Sequence, residues 1–351
     1  MLEKSKVTGS TIAYQLRPHK AIERNLFITL LKKLDRVAGI DLEKYRYVGF
    51  GAAFLEDFKI LHSEFGIKKM DCVEMDEYAY NRQLFNNPFN FIKLYNMKST
   101  DYITDSSFKQ DLNQIIWWDF ASPKYLKESL NDVELTAEKV SRFDILKFTF
   151  NAEINGFVSA YRKEWKKMGH PNSAIDFKEV LNYIESDAAF KNFLPDGLKW
   201  EDINSDFSAV IRAFVIRAVK RGLSKTEEDL DFLPLCSFDY ADGQLMTTIT
   251  GIICKKDEFK KIISEAGLKN WEFHQKDFVN ELIPAAGIKV PVMTVPERAE
   301  IDKKIHRNKD PKKLAEKLKF QYGTSLDEHV EFIVGYCKYY RFLPYYSKVI
   351  F

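Results

Sequence analysis

The hydrophobic positions in the first part of the chain alternate between helical and strand-like spacing. From Lys20 to Leu34, apolar residues recur every three or four positions, which predicts an amphipathic helix. Two short apolar runs follow, "YRYVGF" and "KKMDCVEMD", and a helical pattern that ends at Gly66 lies between them. A buried strand, a helix and a second buried strand form a βαβ unit, whose two strands are parallel.

The same alternation continues through the next three strands. Helical patterns at "EYAYNRQLFNN", around Phe108 to Leu112 and at "SPKYLKESLN" separate strand-like runs at "FNFIKLYNM", "QIIWWDF" and "DILKFTFNAE". This order predicts an α/β fold with a mostly parallel, doubly wound sheet. Later, two β-rich runs meet at Asp242-Gly243, a dipeptide typical of the type I′ hairpin turn, in which both central residues have positive φ. We therefore expect the sheet to end in an antiparallel hairpin.

Changes in the pattern divide the chain into four predicted segments. Residues 1–155 form the first part of the α/β domain, and residues 156–231 form a mostly helical, basic insertion. The domain resumes in residues 232–283 with the hairpin. Residues 284–351 form a C-terminal helical region that is expected to pack on the domain.

Composition adds limits on compartment and partners. The chain has 351 residues, 45% of them hydrophobic, and its net charge of +2 neither demands nor excludes a polyanionic partner. Four cysteines lie far apart without a Cys-x-x-Cys pair, and no apolar run approaches the roughly 18 residues of a membrane span. The six histidines show no metal-ligand spacing. We therefore expect a cytoplasmic protein with no membrane partner and no metal.

A glycine pair and an acid follow the first two strands. Gly49 and Gly51 would let the backbone approach a ligand at the start of a helix, but a tight corner in the core explains them equally well. Glu74 comes 23 residues after Gly51, close to the spacing at which nucleoside-binding folds place an acid on the ribose hydroxyls. The alternative is that Glu74 and Asp76 cap the next helix.

Two later strands also end in polar residues. Ser99 and Asp101 follow the third strand, where they would contact a base, although an ordinary Ser or Asx turn explains the same residues. Asp119 ends the fourth strand, at the edge where open α/β sheets bind ligands, and its alternative is a helix N-cap. Phe120 is a candidate to stack on a planar substrate or a member of the core.

Three cations near the first helix are candidates for binding an anion. Lys20 and Arg24 lie on one helical stripe whose later half is apolar, so their side chains are expected to point into the protein. With Arg17 they could bind a ligand's carboxylate or phosphate, or form ordinary ion pairs.

The predicted insertion carries two groups of basic residues. They are Arg162, Lys163, Lys166 and Lys167, with Trp165 among them, and Arg212, Arg217, Lys220 and Arg221. Cations and an aromatic ring form a candidate surface for a nucleic-acid partner, and a solvated helix face is the alternative.

The motifs exclude two common nucleotide-binding classes and favour a third. No segment matches the Walker pattern, and the third glycine of the dehydrogenase motif is missing after Gly51. A glycine turn after strand one, an acid after strand two, Asp119 after strand four and a late hairpin resemble class I S-adenosylmethionine-dependent methyltransferases. More narrowly, "LRPHKAIER", "YRYVGFGAAFLEDF", "VEMDE", "WWDF" and "PVMTVPER" resemble an uncharacterised bacterial group of O-methyltransferases.

The resemblance implies a Rossmann-like sheet, S-adenosylmethionine as the cofactor and Asp119 near the methyl-transfer centre, as a base or an orienting group. It also implies cofactor contacts at Gly49, Phe50, Gly51, Glu74 and Met75, with Ser99 and Asp101 near the base. Arg17, Lys20 and Arg24 would then bind the cofactor's carboxylate or the substrate. Tyr47 and Val48 stand where these enzymes usually carry an acid.

The acceptor is open at this point: a nucleic acid or another anionic substrate fits the basic insertion. The alternative to an enzyme is a module without catalysis that senses the cofactor or binds a protein or nucleic-acid partner.

Overall fold

The computed structural model describes residues 17–105, 108, 112–167, 176–276, 281–307 and 310–344, with residues 163–167 described by their backbone alone. The chain divides into two compact units. Among the described residues, the first unit contains residues 31–239 and 244–286, and the second contains residues 17–30, 240–243 and 287–344.

In the described part of the chain, eight strands form one sheet in the order β3-β2-β1-β4-β5-β7-β6-β8. Strands β1 to β5 pair in parallel where they are neighbours, and β7 is antiparallel to β5. The strands are β1 Arg46–Gly49, β2 Lys69–Val73, β3 Ile92–Tyr95, β4 Gln114–Phe120, β5 Ile145–Asn151, β6 Asp231–Ala241, β7 Leu245–Cys254 and β8 Ala286–Ile288. The predicted parallel sheet with a terminal antiparallel pair is confirmed.

Helices connect the strands, with one departure from the predicted positions. The first part of the chain contains α1 Pro18–Leu34, α2 Glu56–Phe65, α3 Glu77–Asn86, α4 Ser99–Thr104 and α5 Leu126–Ala137. Between β5 and β6 lie α6 Ile154–Lys167, α7 Phe177–Ser186, α8 Ala188–Lys191, α9 Trp200–Ser205 and α10 Phe207–Leu223. The remaining helices are α11 Phe259–Glu265, α12 Val295–Ile305, α13 Pro311–Glu316 and α14 Leu326–Tyr339.

One predicted helix has a different place. The connection between β3 and β4 contains α4, which begins at Ser99, whereas the prediction put a helix around Phe108 to Leu112. Most of that predicted stretch, residues 109–111, lies outside the described residues. Phe108 itself is a buried bend, so its apolar character reflects packing into the core.

The core of the first unit lies between the sheet and the helices that follow β4 and β5. Trp118 and Leu146 on the sheet and Leu130 on α5 are fully buried in one hydrophobic cluster. α10 packs closely along α5. At Gly222 the two helices are so close that a Cβ would lie 2.3 Å from the carbonyl oxygen of Glu134. The last helix of the predicted insertion, α10, is therefore packed into the core. The predicted boundaries of the four segments stay predictions.

The hairpin is present, but its turn is not of the predicted type. Three residues connect β6 to β7, and only Gly243 among them has a positive φ, of 112°. The type I′ prediction is therefore wrong, because that turn needs positive φ at two central residues. The Asp242 carboxylate instead accepts hydrogen bonds from the backbone N–H groups of His19 (3.4 Å) and Lys20 (2.9 Å), in the first turn of α1.

The second unit is held together by polar contacts between distant segments. Asp242 Oδ1 lies 2.6 Å from His19 Nδ1, and Asn25 Nδ2 donates to the carbonyl oxygen of Phe342 at 2.7 Å. The Tyr336 hydroxyl on α14 donates to Asp302 on α12 at 2.5 Å. None of the helices in the described residues is long and apolar enough to cross a membrane. The cytoplasmic location stays a prediction.

Candidate functional site

The turn after β1 is closely packed around its two glycines. A Cβ on Gly49 would lie 2.7 Å from the Tyr47 hydroxyl oxygen, and a Cβ on Gly51 would lie 2.7 Å from the Cys72 sulfur and 2.3 Å from Leu55 Cδ2. Real Cβ atoms do not make such short contacts, so a larger residue at either position would force its neighbours to shift, and packing alone favours glycine. The structural explanation of these glycines therefore holds, and it is compatible with a ligand above the turn.

Two residues that are not glycine adopt left-handed backbone conformations in this turn. Ala52 has a φ of 42° and Leu55 a φ of 53°. Such conformations cost on the order of 1–3 kcal/mol each and cluster at ligand-binding sites. Two side chains of α3 hold the turn: Gln83 Nε2 donates to the carbonyl oxygen of Ala52 at 2.9 Å, and Asn86 Nδ2 donates to that of Ala53 at 2.7 Å. The turn is therefore fixed before any ligand arrives.

The two acids after β2, Glu74 and Asp76, make different contacts. Asp76 caps α3, because its carboxylate accepts a hydrogen bond from the Ala79 N–H at 2.8 Å. The half-buried Glu74 carboxylate accepts the Asp76 N–H at 2.9 Å. Burial raises the pKa of the Glu74 carboxyl, while the backbone N–H groups oppose that shift. Capping thus explains Asp76, and Glu74 is a partly dehydrated carboxylate beside Met75, whose side chain is 61% exposed.

The residues after β3 form the first turn of α4. The Ser99 hydroxyl donates to Asp132 Oδ2 at 2.5 Å, and the Thr100 hydroxyl donates to Asp132 Oδ1 at 2.6 Å. Burial raises the pKa of the Asp132 carboxyl, and the two hydroxyl groups oppose the shift. Asp101 is exposed. Asp132, on α5, was missed because nothing in the sequence pairs it with residues more than thirty positions away.

Asp119 and Phe120 end β4 on opposite faces of the sheet, because side chains alternate along a strand. The Phe120 ring packs edge-on against Phe50, with ring centroids 5.6 Å apart, and lies 5.2 Å from the Phe150 ring. Phe50 also packs on Trp118 at 4.8 Å. Both Phe50 and Phe120 therefore take part in an aromatic cluster at this edge, and their ligand contacts stay predictions.

A buried cation lies on the face of the sheet that carries Asp119. Lys147 on β5 is fully buried, and its ammonium nitrogen is 4.1 Å from the Trp117 ring centroid. The Trp117 Nε1–H donates to the Thr149 hydroxyl oxygen at 3.1 Å. Thr149 is the register partner of Asp119 across β4 and β5. The sequence gives no sign of this group, because a lysine in an apolar strand is normally expected at a solvent-facing position.

A buried amide connects three segments at the end of β5. Asn151 Nδ2 donates to the carbonyl oxygen of Ala121 at 3.2 Å and to Gln244 Oε1 at 2.7 Å, and its Oδ1 accepts the Glu153 N–H at 2.9 Å. Ala121 lies two residues after Asp119. Asn151 therefore fixes the backbone that follows Asp119, a role that sequence reasoning also missed.

The three predicted anion-binding cations belong to the second unit. Lys20 and Arg24 are buried, with 7% and 4% of their surfaces exposed, which agrees with the predicted inward direction of their stripe. Their binding of a carboxylate or phosphate, with Arg17, stays a prediction.

The second basic group of the predicted insertion is engaged in ion pairs. Its members pair with acids as follows: Arg212 with Asp239 at 2.7 Å, Arg217 with Asp196 at 2.6 Å and Glu281 at 2.5 Å, Lys220 with Glu281 at 3.0 Å, and Arg221 with Glu134 at 3.2 Å. In the first group, the side chains of residues 163–167 lie outside the described residues. A nucleic-acid contact through the insertion stays a prediction.

A cavity of about 800 Å³ lies at the other edge of the sheet, between the end of α10 and the start of β6. Its lining includes Leu223, Asp231 and Phe232, none of which belongs to the strand ends described above. Across the residues that the structure covers, no group of three or more His, Cys, Asp or Glu side chains could hold a metal ion.

The strand order, with β7 antiparallel beside β5, together with the glycine turn and the acids at the carboxyl edge, defines the class I methyltransferase fold. The sequence model of the family described as "Putative O-methyltransferase" matches residues 12–351, and the chain belongs to that family. The resemblance found in the sequence and the Rossmann-like fold class are thereby confirmed. S-adenosylmethionine is the cofactor of this class, as the resemblance implied.

Three solved structures are similar to part of the chain. The N-methyltransferase NodS from Bradyrhizobium japonicum WM9 is 10% identical, with a TM-score of 0.33 over 67% of this chain and 97% of that one. TYW2 of M. jannaschii, in complex with AdoMet, is 10% identical, with a TM-score of 0.34 over 65% and 76% of the two chains. The fibrillarin pre-rRNA processing protein of Methanococcus jannaschii is 10% identical, with a TM-score of 0.34 over 62% and 70%. No curated protein matches the chain.

Proposed function

We propose that the chain transfers a methyl group from S-adenosylmethionine to an oxygen atom of its acceptor, at the carboxyl edge of β1, β2 and β4. One observation carries this proposal. Gly49 pairs in register with Cys72 on β2 and with Trp117 on β4. Gly51, Glu74 and Asp119 each come two residues beyond that line, at the carboxyl ends of neighbouring strands about 4.8 Å apart.

The chemistry of these residues suits the cofactor. The Glu74 carboxylate is drawn partly out of water, and carboxylates at this position in nucleoside-binding folds accept hydrogen bonds from ribose hydroxyl groups. The exposed Met75 side chain offers an apolar surface for the adenine ring. The fixed turn from Gly49 to Leu55 lets the ligand approach the backbone at the start of α2.

Asp119 is the group that we assign to the acceptor. Bound S-adenosylmethionine would supply an activated methyl group, whose bond to the sulfonium sulfur would break, with its electrons kept on sulfur, as a bond to the acceptor oxygen forms. The acceptor hydroxyl proton moves to the Asp119 carboxylate, which acts as a general base. Thr149 and Asn151, both on β5, hold the strand end that carries Asp119, which supports alignment of the acceptor.

Two measurements test the proposal. Calorimetric titration with S-adenosylmethionine and S-adenosylhomocysteine should show binding of both, and no binding of either at millimolar concentration would overturn it. Incubation with methyl-labelled cofactor and cell extract should then transfer label to an acceptor fraction, and Asp119→Asn should reduce the rate by 10²-fold or more.

The outcomes of the label experiment separate the alternatives. Binding of the cofactor without label transfer to any fraction would indicate that the chain is a cofactor-sensing module and not an enzyme. A transfer rate that is unchanged in Asp119→Asn would show that the chain is a methyltransferase in which Asp119 is not the general base.

A further inference from the structure

The end of α12 and the region around α13, both in the second unit, carry many exposed cations. We call the exposed basic side chains of this stretch the α12–α13 basic surface: Lys303, Arg307, Lys312, Lys313, Lys317 and Lys319. No ion pair within the described residues involves five of them, namely Lys303, Arg307, Lys312, Lys313 and Lys319. The second basic group of the predicted insertion differs, because each of its members pairs with an acid.

The fold of the second unit turns these cations outward and holds them in place. Leu314 and Ala315 of α13 are buried, with 0% and 2% of their surfaces exposed, whereas Lys313 directly before them is exposed. The buried His329 on α14 fixes this arrangement. Its Nε2–H donates to the carbonyl oxygen of Ala315 at 3.2 Å, and its Nδ1 accepts the N–H of Tyr322 at 3.0 Å. The backbone that carries the cations is therefore anchored at α13 and again just beyond it.

Cations from both helices meet around one acid. The pKa of the Glu300 carboxyl on α12 is lowered, chiefly by the hydrogen bond from Lys304 at 2.6 Å and also by the charges of Lys303 and Lys319. Lys303 belongs to the last turn of α12, and Lys319 follows α13. Like charges held this close repel one another, so an anion that binds across them would relieve the repulsion.

The balance of charge indicates a polyanion as the partner. The described residues from 303 to 319 include seven cations and two acids, Asp310 and Glu316. Nucleic-acid phosphates bind such a surface by releasing the counterions condensed on them. Single strands are usually held by stacking their bases on aromatic rings as well, and this stretch contains no Phe, Tyr or Trp. A duplex, whose phosphates face outward along its length, is the better match.

The same surface fits two other anionic partners less well. Its apolar side chains Ile305, Leu314 and Leu318 are buried or half-buried, so the surface offers charge alone. Stable attachment to an anionic membrane takes a second, apolar signal besides a basic patch. Lysine is depleted at protein–protein interfaces, and most of these cations are lysines.

We propose that the α12–α13 basic surface binds the sugar–phosphate backbone of a nucleic-acid duplex without reading its base sequence. Affinity should therefore be similar for different sequences and fall steeply with salt. Each phosphate that is neutralised contributes about 0.9 to the slope of log affinity against log salt concentration. The surface belongs to the second unit and needs neither the cofactor nor methyl transfer.

Fluorescence anisotropy with a short labelled DNA duplex tests the surface, with no cofactor present and salt varied from about 50 to 200 mM. Wild type should bind, and Lys312→Glu combined with Lys313→Glu should weaken binding about tenfold or more and reduce the salt slope by about 2. Lys303→Glu combined with Arg307→Glu should act alike. The matched control is Lys260→Glu combined with Lys261→Glu, at an exposed lysine pair on α11. It changes the net charge equally and should leave affinity within about twofold.

Four results would overturn the proposal. They are no binding to the duplex at about 50 mM salt, a loss in the α11 control that equals the loss in the α13 pair, unchanged affinity in either pair of the basic surface, and tighter binding to a single strand than to the duplex. Vesicles that contain phosphatidylserine and a polyglutamate peptide provide the remaining arms. Tighter binding to either than to the duplex, lost in the α13 pair, would assign the surface to a membrane or to an acidic protein instead. Because cofactor is absent, failure of the methyltransferase proposal would not affect these results.

Discussion

The side-chain amide of Gln83 donates a 2.9 Å hydrogen bond to the carbonyl oxygen of Ala52, whose φ is 42°. A buried residue of α3 thereby holds a strained residue of the turn after β1, which we propose binds the cofactor. Gln83→Leu keeps the approximate volume and removes the donor, so the turn should relax. We expect the affinity for S-adenosylhomocysteine to fall about 5–10-fold, in line with one lost hydrogen bond of about 1–1.5 kcal/mol. Calorimetric titration measures this change.

A matched pair of asparagines provides the control for that prediction. Asn86 Nδ2 donates to the carbonyl oxygen of Ala53 in the turn, whereas Asn87 Nδ2 donates to that of Ile92 at the start of β3. Asn86→Ala should therefore weaken S-adenosylhomocysteine binding as Gln83→Leu does, and Asn87→Ala should not. Equal losses in both asparagine variants would show that α3 acts on binding through general stability alone.

Gly51→Ala should destabilise the fold through overpacking. The new methyl group would lie 2.3 Å from Leu55 Cδ2 and 2.7 Å from the Cys72 sulfur, and such insertions cost about 1–3 kcal/mol. Gly287→Ala is the control, because a Cβ there meets nothing within 4 Å and its φ is not positive. Urea denaturation measures both. The double variant Gly51→Ala, Cys72→Ala should recover part of the loss, and no recovery would show that Leu55 is the main obstacle.

Local pattern predicts the scaffold of this protein well, because each strand and helix carries its own hydrophobic period. The positions of Asp119 and Glu74 at the carboxyl edge could be predicted for the same reason, because Asp119 is near the end of β4 and Glu74 directly follows β2, and their roles stay predictions. Asp76 shows the limit of prediction from local pattern. The sequence offered helix capping as the alternative for both Glu74 and Asp76, and the structure shows capping by Asp76. Glu74 remains a candidate site residue.

Contacts between distant segments are what the sequence did not reveal. Asp242 was read as a turn residue, but its carboxylate caps a helix more than 220 positions earlier in the chain. Asp132 and Gln83 likewise act on residues about thirty positions away. A side chain's partner depends on register and packing, which no local period encodes.

Glu74→Gln should weaken cofactor binding more than any change at its acidic neighbours. A hydrogen bond from a ribose hydroxyl to a charged carboxylate contributes about 1.5–3 kcal/mol to binding. Without that charge, the affinity for S-adenosylhomocysteine should fall roughly 10–150-fold. Glu77→Gln makes the same change in charge at an exposed position three residues later, and should have little effect. Titration of both variants measures the difference. A loss below twofold in Glu74→Gln would remove Glu74 from the cofactor site.

Asp144 should make stability depend on pH. Burial raises the pKa of its carboxyl from 3.8 to about 6, although the N–H groups of Ser141 (2.8 Å) and Gln114 (2.7 Å) and the Asn113 amide (3.1 Å) oppose the shift. Between these two pKa values the folded state binds more protons than the unfolded state, so this contribution to stability is present below about pH 4 and lost as pH rises through about 6.

The shift corresponds to about 3 kcal/mol, at 1.36 kcal/mol per pKa unit. Asp144→Asn has no carboxyl to titrate, so the free energy of unfolding of wild type relative to this variant should decrease by about that amount between pH 4 and pH 7. Urea denaturation at stepped pH measures the difference, with the exposed Asp229→Asn as the control that should show no such trend. A difference that stays constant, or grows with pH, would mean that the three donors outweigh burial and that Asp144 is ionised in the folded protein throughout this range.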